Sequence, residues 1–300
     1  MENAPPTPKQ LSVNRARLPL ALWDYGGEGP VVLFLHGFLD TGRSFEDVAL
    51  ALQGQCRALC LDWRGHGASG RAGADGAYHQ LDHLKDLACV LDELEARNLK
   101  PQAIVAHSMG GTIALMLAAF APTLLPPLML VDCVGGYAAD AATQVDQMTS
   151  LIAHVRRPAP PFRSFATRVA AQERVMANND GLSQEGAERI VRHYLVPQED
   201  GRFQVRLDPR LRGPNPYRFP ESHWLEICSR VTTRVHLLAP ELGFMHRIPA
   251  LQQRFEKLQN ATRQDLPGVG HHVHVEAVEE LVQAVLTLLS ESRAEDCRNR

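Results

Sequence analysis

The stretch IVAHSMGG, residues 104–111, contains Ser108, whose type and setting suggest nucleophilic chemistry. An apolar run precedes the serine and a segment rich in Ala, Leu and Met follows it, so a strand is predicted to turn into a helix here. Ala106 and Gly110, two positions before and after, are small enough to let the flanking backbones approach, although Ala106 replaces the first glycine of the usual G-x-S-x-G pattern. Such a turn holds a serine hydroxyl exposed at a helix N-terminus. The alternative is a common strand-to-helix turn in which the serine caps the helix.

The loop after an earlier apolar run could supply hydrogen-bond donors to the same reaction. A tetrahedral intermediate needs two N–H donors at the position where its oxyanion forms. The backbone N–H of Met109 would be one donor, and that of Phe38, in the sequence HGFLD, would be the second. Gly37 gives this backbone the freedom to turn inward. By itself, the HG pair is equally compatible with an ordinary turn.

Three histidines close together near the C-terminus, in LPGVGHHVHVE, are candidates for a general base. The base for Ser108 should be a histidine on a loop, within hydrogen-bond reach of the hydroxyl. His271, His272 and His274 all meet the first condition. Two alternating histidines could instead be metal ligands, but no cysteine or acidic cluster nearby in the sequence completes such a site. We therefore expect no metal.

The segment DWRGHGASG formally matches a dinucleotide-binding glycine pattern through Gly65, Gly67 and Gly70. That pattern binds a pyrophosphate only where the glycines open a helix directly. Here the turn-rich sequence RAGADGAYHQ follows, so no helix N-terminus is available. A loop that braces the candidate site is the better interpretation, and we expect no cofactor.

These residues must be positioned by an alternation of strands and helices. Helical spacing is found at about Ser44–Gln53, Gln80–Asn98, Met109–Phe120 and Glu276–Leu289. Short, nearly continuous apolar runs predict buried strands at Val31–His36, Ala58–Asp62, Ala103–His107, Leu128–Asp132, Thr233–Ala239 and Thr262–Leu266. Alternation of this kind predicts a parallel sheet with helices on both faces. In such sheets the functional groups lie in loops after the C-terminal ends of the strands, where the candidates above are found.

The middle of the chain, residues 136–230, interrupts this alternation because it contains no convincing buried strand. Helix-like pieces at Ala141–Val155, Ser164–Asn179 and Ser183–Leu195 are joined by proline-rich segments, which predicts a mainly helical cap inserted between two sheet strands. The predicted organisation is a core at 11–135 and 231–290, the cap at 136–230, and tails at 1–10 and 291–300. The cap has 13 Arg and no Lys and carries +2, against −5 for the rest. Arginines over a cleft could bind an anionic acyl group, but they are more often solvated.

Composition narrows the class of protein. With 31 basic and 34 acidic residues among 300, the net charge is −3, which argues against a nucleic-acid-binding protein. No apolar run reaches the roughly 20 residues that span a bilayer. The N-terminus MENAPPTPKQ lacks an apolar core behind a basic start, so no secretory signal is expected. Six scattered cysteines without a C-x-x-C pair favour a reduced, cytoplasmic protein. A homodimer is left open.

Four segments resemble the motifs of the α/β-hydrolase superfamily and occur in the expected order: LFLHGF, LDWRGHGASG, AHSMGG and GVGHHVHVE. The resemblance covers roughly Val13–Leu289. Within the superfamily, the chain looks most like the serine hydrolase-like subfamily, because it combines LVDCVGG, LDPRLRGP and GHHVHVE. The resemblance implies the α/β-hydrolase fold, with a mostly parallel central sheet flanked by helices and a cap. It also implies Ser108 as the nucleophile and the Phe38 and Met109 N–H groups as the oxyanion hole.

The same resemblance guides the choice of the base and of the acid that orients it. The family's histidine directly follows a glycine and stands five residues before a glutamate, which selects His271, with His272 as second choice. The family's usual acid follows the strand after the cap, but Leu242 occupies that position here and only Glu241 is near it. Some members take the acid from the strand before the cap, where Asp132 stands. Many members carry an aspartate there with no catalytic role. We choose Asp132, with Glu241 as the alternative.

The implied reaction is acyl transfer on a small-molecule acyl substrate. Ser108 would attack an ester or thioester carbonyl, and water would release the acid from the acyl-enzyme without a cofactor. A serine rather than an aspartate at this position argues against epoxide hydrolase and haloalkane dehalogenase chemistry. The alternatives are a C–C bond hydrolase that uses the same triad and a non-catalytic, ligand-binding homologue.

Overall fold

A computed structural model describes residues 7–16, 18–73, 76–158, 160–215 and 217–298. An eight-stranded sheet forms the centre of the protein. A three-stranded sheet lies in the inserted segment. The strands are β1 (Lys9–Val13), β2 (Leu20–Asp24), β3 (Val31–Leu35), β4 (Arg57–Leu61), β5 (Ala103–His107), β6 (Leu128–Val131), β7 (Ser164–Phe165), β8 (Leu195–Pro197), β9 (Phe203–Val205), β10 (Val235–Pro240) and β11 (Ala261–Leu266).

Helices alternate with these strands along the chain. They are α1 (Glu46–Ala51), α2 (Gln80–Ala96), α3 (Met109–Phe120), α4 (Ala141–Val155), α5 (Arg168–Met176), α6 (Gln184–Tyr194), α7 (Glu221–Ser229), α8 (Phe244–Arg247), α9 (Pro249–Phe255), α10 (Val273–Glu276) and α11 (Val278–Arg298). Short 3-10 helices occupy Gly42–Phe45, Pro122–Leu124 and Pro209–Arg212. Among the described residues no helix combines the length and apolar character needed to cross a membrane.

The large sheet has the order β1-β2-β4-β3-β5-β6-β10-β11. Its last six strands in this order pair in parallel, whereas β2 pairs antiparallel with both β1 and β4. The predicted mostly parallel sheet flanked by helices is therefore confirmed. The carboxyl ends of β3, β5, β6 and β11 meet at one edge of the sheet, and each is followed by a loop that holds a candidate residue.

Both faces of the sheet are buried, which explains the uninterrupted apolar runs. Leu33 of β3 and Ile104 of β5 pack in one hydrophobic cluster with residues of α2, α3 and α7. The next residues, Phe34 and Val105, point the other way and pack with residues of α1 and α11. Full burial of an aliphatic or aromatic side chain stabilises the fold by about 1.5–3 kcal/mol, so these central strands are strongly fixed in register.

The inserted segment between β6 and β10 is mainly helical, as the sequence predicts, but it also contains a small sheet that the sequence did not reveal. Its order is β7-β9-β8, and all its pairs are antiparallel. As a result, the helix predicted at Ser164–Asn179 begins only at Arg168, after β7. Strands of two or three residues carry too little periodicity to be distinguished from loops by sequence.

The two predicted tails are shorter than expected. β1 begins at Lys9, within the tail predicted for 1–10; it is an edge strand whose polar residues hide the alternation. The last helix continues to Arg298, through most of the tail predicted at 291–300. The sequence ESRAED contains Glu, Arg and Ala, which favour helix, so a polar composition there did not signal an end to the helix.

Candidate active site

Ser108 occupies a strained turn between β5 and α3. Its backbone has φ 51° and ψ −113°, a region that residues other than glycine rarely adopt. Its N–H donates to the carbonyl of Val131 at 3.1 Å, and its carbonyl accepts the N–H of Thr112 at 2.9 Å. These bonds anchor the turn to β6 and to the first turn of α3, and the side chain is left partly exposed. This is the geometry of a nucleophile elbow.

The two glycines that follow allow α3 to pack tightly against the strand ends. A Cβ on Gly110 would lie 2.6 Å from the Leu35 carbonyl oxygen, and one on Gly111 would lie 2.1 Å from Cys133 Sγ. A Cβ at such distances is excluded without rearrangement. The backbone of this turn therefore comes close to neighbouring segments after the serine, at Gly110 and Gly111. Ala106 keeps its methyl group in the core without loss of the turn, since it is 0% exposed.

The two residues that carry the candidate oxyanion donors line the same cavity as Ser108. Phe38, in the loop after β3, and Met109, the first residue of α3, both line this cavity. Neither N–H donates a hydrogen bond within the described part of the chain. The next residue, Leu39, has φ 60°, so the loop after β3 also holds a strained backbone. An oxyanion hole requires unpaired donors beside the nucleophile, so these two N–H groups remain candidates for it.

His271, in the loop after β11, pairs with Asp132. Its Nδ1 lies 2.6 Å from Asp132 Oδ2, the Asp132 side chain is fully buried, and the His271 side chain is 17% exposed. A carboxylate at this distance places the imidazole proton on Nδ1 and leaves Nε2 as the basic nitrogen. The histidine thus has the tautomer that a general base needs.

Two further donors fix the Asp132 carboxylate. The Phe244 N–H donates to Oδ2 at 2.8 Å, and the Met245 N–H donates to Oδ1 at 2.9 Å, both from the first turn of α8. Gly243 brings this turn close, because a Cβ there would lie 2.4 Å from Asp132 Oδ2. Asp132 itself has φ 52°. The sequence did not predict these roles of Gly243, Phe244 and Met245, although the glycine in LGF is a signal of close backbone approach.

The imidazole of His271 packs near the rings of Phe244 and His107. The ring centroid of Phe244 is 4.2 Å away, and that of His107, the residue before Ser108, is 4.5 Å away. In the described residues no hydrogen bond joins the Ser108 hydroxyl to His271. Catalytic hydrogen bonds of this kind are often long in enzymes without substrate and tighten when substrate binds.

The alternative base and the alternative acid have other partners. His272 Nε2 lies 2.9 Å from Asn179 Oδ1 in the inserted segment, and burial lowers the pKa of His272 to about 3. Glu241 is exposed, and its carboxylate accepts the N–H of Gly268 at 2.8 Å. The structure thus brings His271 together with Asp132, and it places neither His272 nor Glu241 in that pair.

The glycine-rich loop after β4 braces this edge of the sheet, as the sequence suggested. The Asp62 carboxylate accepts N–H groups from Gly42, Ala68 and the Trp23 indole at 2.7–2.9 Å. A Cβ on Gly67 would lie 2.1 Å from that carboxylate, which explains this glycine without a nucleotide. The next helix, α2, starts only at Gln80.

A cavity of about 780 Å³ opens over Ser108. Core residues of the loops described above form one side. The inserted segment covers the other side with Leu211, Arg212, Asn215 and Arg218. The volume falls in the range of small-molecule sites, and the lining combines apolar surface with a few polar groups. Of the 13 arginines predicted in the cap, Arg212 and Arg218 reach this cavity.

Comparison with known proteins supports the fold. The sequence model of the family described as "alpha/beta hydrolase fold" matches residues 30–168. A serine hydrolase-like protein of Danio rerio is 26% identical, over 94% of this chain and 89% of its own length. The sn-1-specific diacylglycerol lipase of Mus musculus is also 26% identical, over 96% of this chain and 88% of its own length.

A solved structure is similar over nearly the whole chain. The thioesterase domain from the curacin biosynthetic pathway superposes with a TM-score of 0.80 at 25% identity and covers 94% of this chain and 100% of that domain. The likeness therefore includes the inserted segment as well as the sheet.

Proposed function

Because the chain belongs to the α/β-hydrolase superfamily, we propose that it is a serine hydrolase that cleaves carboxylic esters or thioesters through an acyl-enzyme on Ser108. The observation that carries the proposal is the His271–Asp132 pair, which lies at the same edge of the sheet as Ser108, a serine on a strained turn that lines a cavity. A protein that only binds a ligand has no need for this combination.

The proposed reaction has two steps. His271 Nε2 accepts the Ser108 proton as Oγ attacks the substrate carbonyl, and the resulting oxyanion accepts the N–H groups of Phe38 and Met109. Collapse of this intermediate transfers the proton to the leaving alcohol or thiol and leaves an acyl-enzyme. Water, deprotonated by the same histidine, then attacks the acyl-enzyme and releases the carboxylic acid and free Ser108. Asp132 stabilises the imidazolium that forms in each step.

The names of the relatives support hydrolysis of ester-type bonds. One is a diacylglycerol lipase, another is a protein phosphatase methylesterase, and the superposed domain is a thioesterase. These substrates differ greatly in their leaving groups, so they support the reaction type and not one substrate. The cavity of about 780 Å³ accommodates a small acyl group, and Arg212 and Arg218 place positive charge in its lining, which suits an anionic part of a substrate.

A substrate panel tests the proposal. Purified protein is assayed with p-nitrophenyl esters, acyl thioesters and vinylogous diketones, with Ser108→Ala as the matched control. We expect hydrolysis of at least one ester or thioester, with a burst of the first product as the acyl-enzyme accumulates, and none by Ser108→Ala. Cleavage of the diketones alone would indicate a C–C bond hydrolase. Absence of turnover on every class would favour the non-catalytic homologue.

A further inference from the structure

A second group of histidines lies behind the candidate active site and has no role in the proposed reaction. It consists of His107, from the end of β5, of His272, from the loop after β11, and of His274, from α10. One ring nitrogen of each lies within 4.8 Å of those of the other two. The ring centroids are 4.6–5.9 Å apart. We call these three residues the histidine cluster.

Each histidine of the cluster places its Nε2 against an oxygen acceptor. His274 Nε2 lies 3.1 Å from Asp40 Oδ2, and His107 Nε2 lies 3.0 Å from the carbonyl oxygen of His271. His272 Nε2 lies 2.9 Å from Asn179 Oδ1. The Asn179 amide is oriented by its own Nδ2, which donates to the Val175 carbonyl at 2.8 Å. An oxygen acceptor requires the proton on Nε2, so all three rings carry their lone pair on Nδ1.

The three Nδ1 atoms have no partner within the described residues, although all three are buried. His107 and His274 are 1% and 0% exposed, so these lone pairs are not hydrated at the protein surface. Gly37 leaves room beside one of them, because a Cβ at that position would lie 2.8 Å from His107 Nδ1. A buried acceptor without a donor destabilises the fold, and three together need a common partner.

We propose that the histidine cluster is a binding site for a divalent late transition-metal ion such as Zn²⁺, held by the Nδ1 atoms of His107, His272 and His274. Imidazole nitrogens are ligands that such ions prefer. The outer partners also match, because histidines that bind a metal usually donate their other N–H to a carboxylate, a carbonyl or a similar oxygen. Asp40, the His271 carbonyl and the Asn179 amide supply these three acceptors. A tetrahedral ion would keep its fourth position for water.

The sequence did not predict this site because its third ligand lies on a different loop. His272 and His274 were recognised as an alternating pair, but His107 was considered only as part of the serine turn. An ion at this place would join the loop after β5, which carries Ser108, to the loop after β11, which carries His271. Binding should therefore stabilise the folded state as well as the loops.

Titration of the metal-free protein with ZnCl2 tests the site without an activity assay. Calorimetry should show one Zn²⁺ bound per chain, and the midpoint of thermal unfolding should rise with Zn²⁺ concentration. Ser108→Ala should bind equally well, so the result does not depend on hydrolysis. His272→Asn, at the most exposed ligand, should lose this binding.

The outer partner Asn179 provides a pair of variants that leave all three ligands in place. Asn179→Ala should weaken Zn²⁺ binding about 10–100-fold, whereas Asn179→Asp should retain or strengthen it, because a carboxylate orients the imidazole and raises its basicity. Asn178→Ala, at the exposed neighbouring residue, is the control and should leave binding unchanged. Two results would overturn the proposal: no Zn²⁺ binding by the wild-type protein, or wild-type affinity for Zn²⁺ in both His272→Asn and Asn179→Ala. Either result would leave an internal water as the partner of the three nitrogens.

Discussion

Nδ1 of His271 lies 2.6 Å from Oδ2 of Asp132, although 139 positions separate the two residues in the sequence. The sheet explains how they meet, because Asp132 directly follows β6 and His271 lies in the loop after β11, and the carboxyl ends of these strands share one edge. Asp132, the proposed acid, follows the strand before the inserted segment, and two residues after β10 donate backbone N–H groups to its carboxylate.

Replacement of the two candidate acids should separate their roles. Asp132→Asn keeps the shape of the side chain but removes the charge that orients His271 and stabilises its imidazolium, so kcat should fall by about 10⁴-fold. Glu241→Gln changes an exposed carboxylate that contacts Gly268, and its kcat should remain near wild type. Steady-state kinetics on the best ester of the panel measures both. A large loss in Glu241→Gln with an active Asp132→Asn would reverse the assignment.

Gly243 should be required for the position of Asp132. In Gly243→Ala the added methyl group would meet Asp132 Oδ2 at 2.4 Å, so either the carboxylate or the first turn of α8 must move. We expect kcat to fall at least tenfold, since a small misplacement of a catalytic group is costly, and stability to fall by about 1–3 kcal/mol.

Gly270→Ala is the matched control for this change. It adds the same methyl group directly before His271, but at a position with no heavy atom within 4 Å of the new Cβ. Its kcat and its free energy of unfolding should both stay near wild type. Equal losses in the two variants would show that the loops tolerate no change in general, and that the contact with Asp132 is not the cause.

Glu46 of α1, which is hydrogen-bonded to His193 of α6, should make the stability of the folded protein depend on pH. Burial raises the pKa of its carboxyl, but hydrogen bonds from His193 at 2.6 Å and Arg43 at 2.5 Å outweigh this effect and lower that pKa to about 2. A carboxyl whose pKa is lowered on folding stabilises the folded state above its ordinary pKa of 4.5. This contribution, on the order of 1–3 kcal/mol, is lost as the pH falls from there towards about 2.

Glu46→Gln removes this titration. Between about pH 5 and about pH 3, the free energy of unfolding should therefore fall less in Glu46→Gln than in the wild-type protein, as measured by urea denaturation. Glu95→Gln serves as a control, because Glu95 pairs with Lys100 on the exposed surface and should leave the pH dependence unchanged. An identical pH dependence in all three proteins would contradict the role of Glu46.

Much of the candidate site could be located from the sequence because its residues stand at predictable places. Ser108, Asp132 and Phe38 each follow a buried apolar strand, and such strands are the most readily recognised elements of a parallel sheet. The sequence favoured Asp132 over Glu241 only through the family resemblance, since both residues follow predicted strands. That choice depends on the first turn of α8, whose N–H groups point at Asp132.

Other features depend on contacts between distant segments and leave no local pattern. The strands of the small sheet have two or three residues and exist only because β9 pairs with both β7 and β8. The histidine cluster depends on the approach of His107 to a loop more than 160 residues later. Neither the spacing of His272 and His274 nor the serine motif indicates that one ring nitrogen of each of the three histidines lies within 4.8 Å of the other two.

The central claim is that Ser108 is an activated nucleophile, and labelling by a fluorophosphonate probe tests it most directly. Mass spectrometry of the intact protein and of its peptides should find one adduct per chain, on Ser108, and none on a folded Ser108→Ala variant. Absence of an adduct from the wild-type protein, or an adduct that persists in Ser108→Ala, would contradict the proposed function.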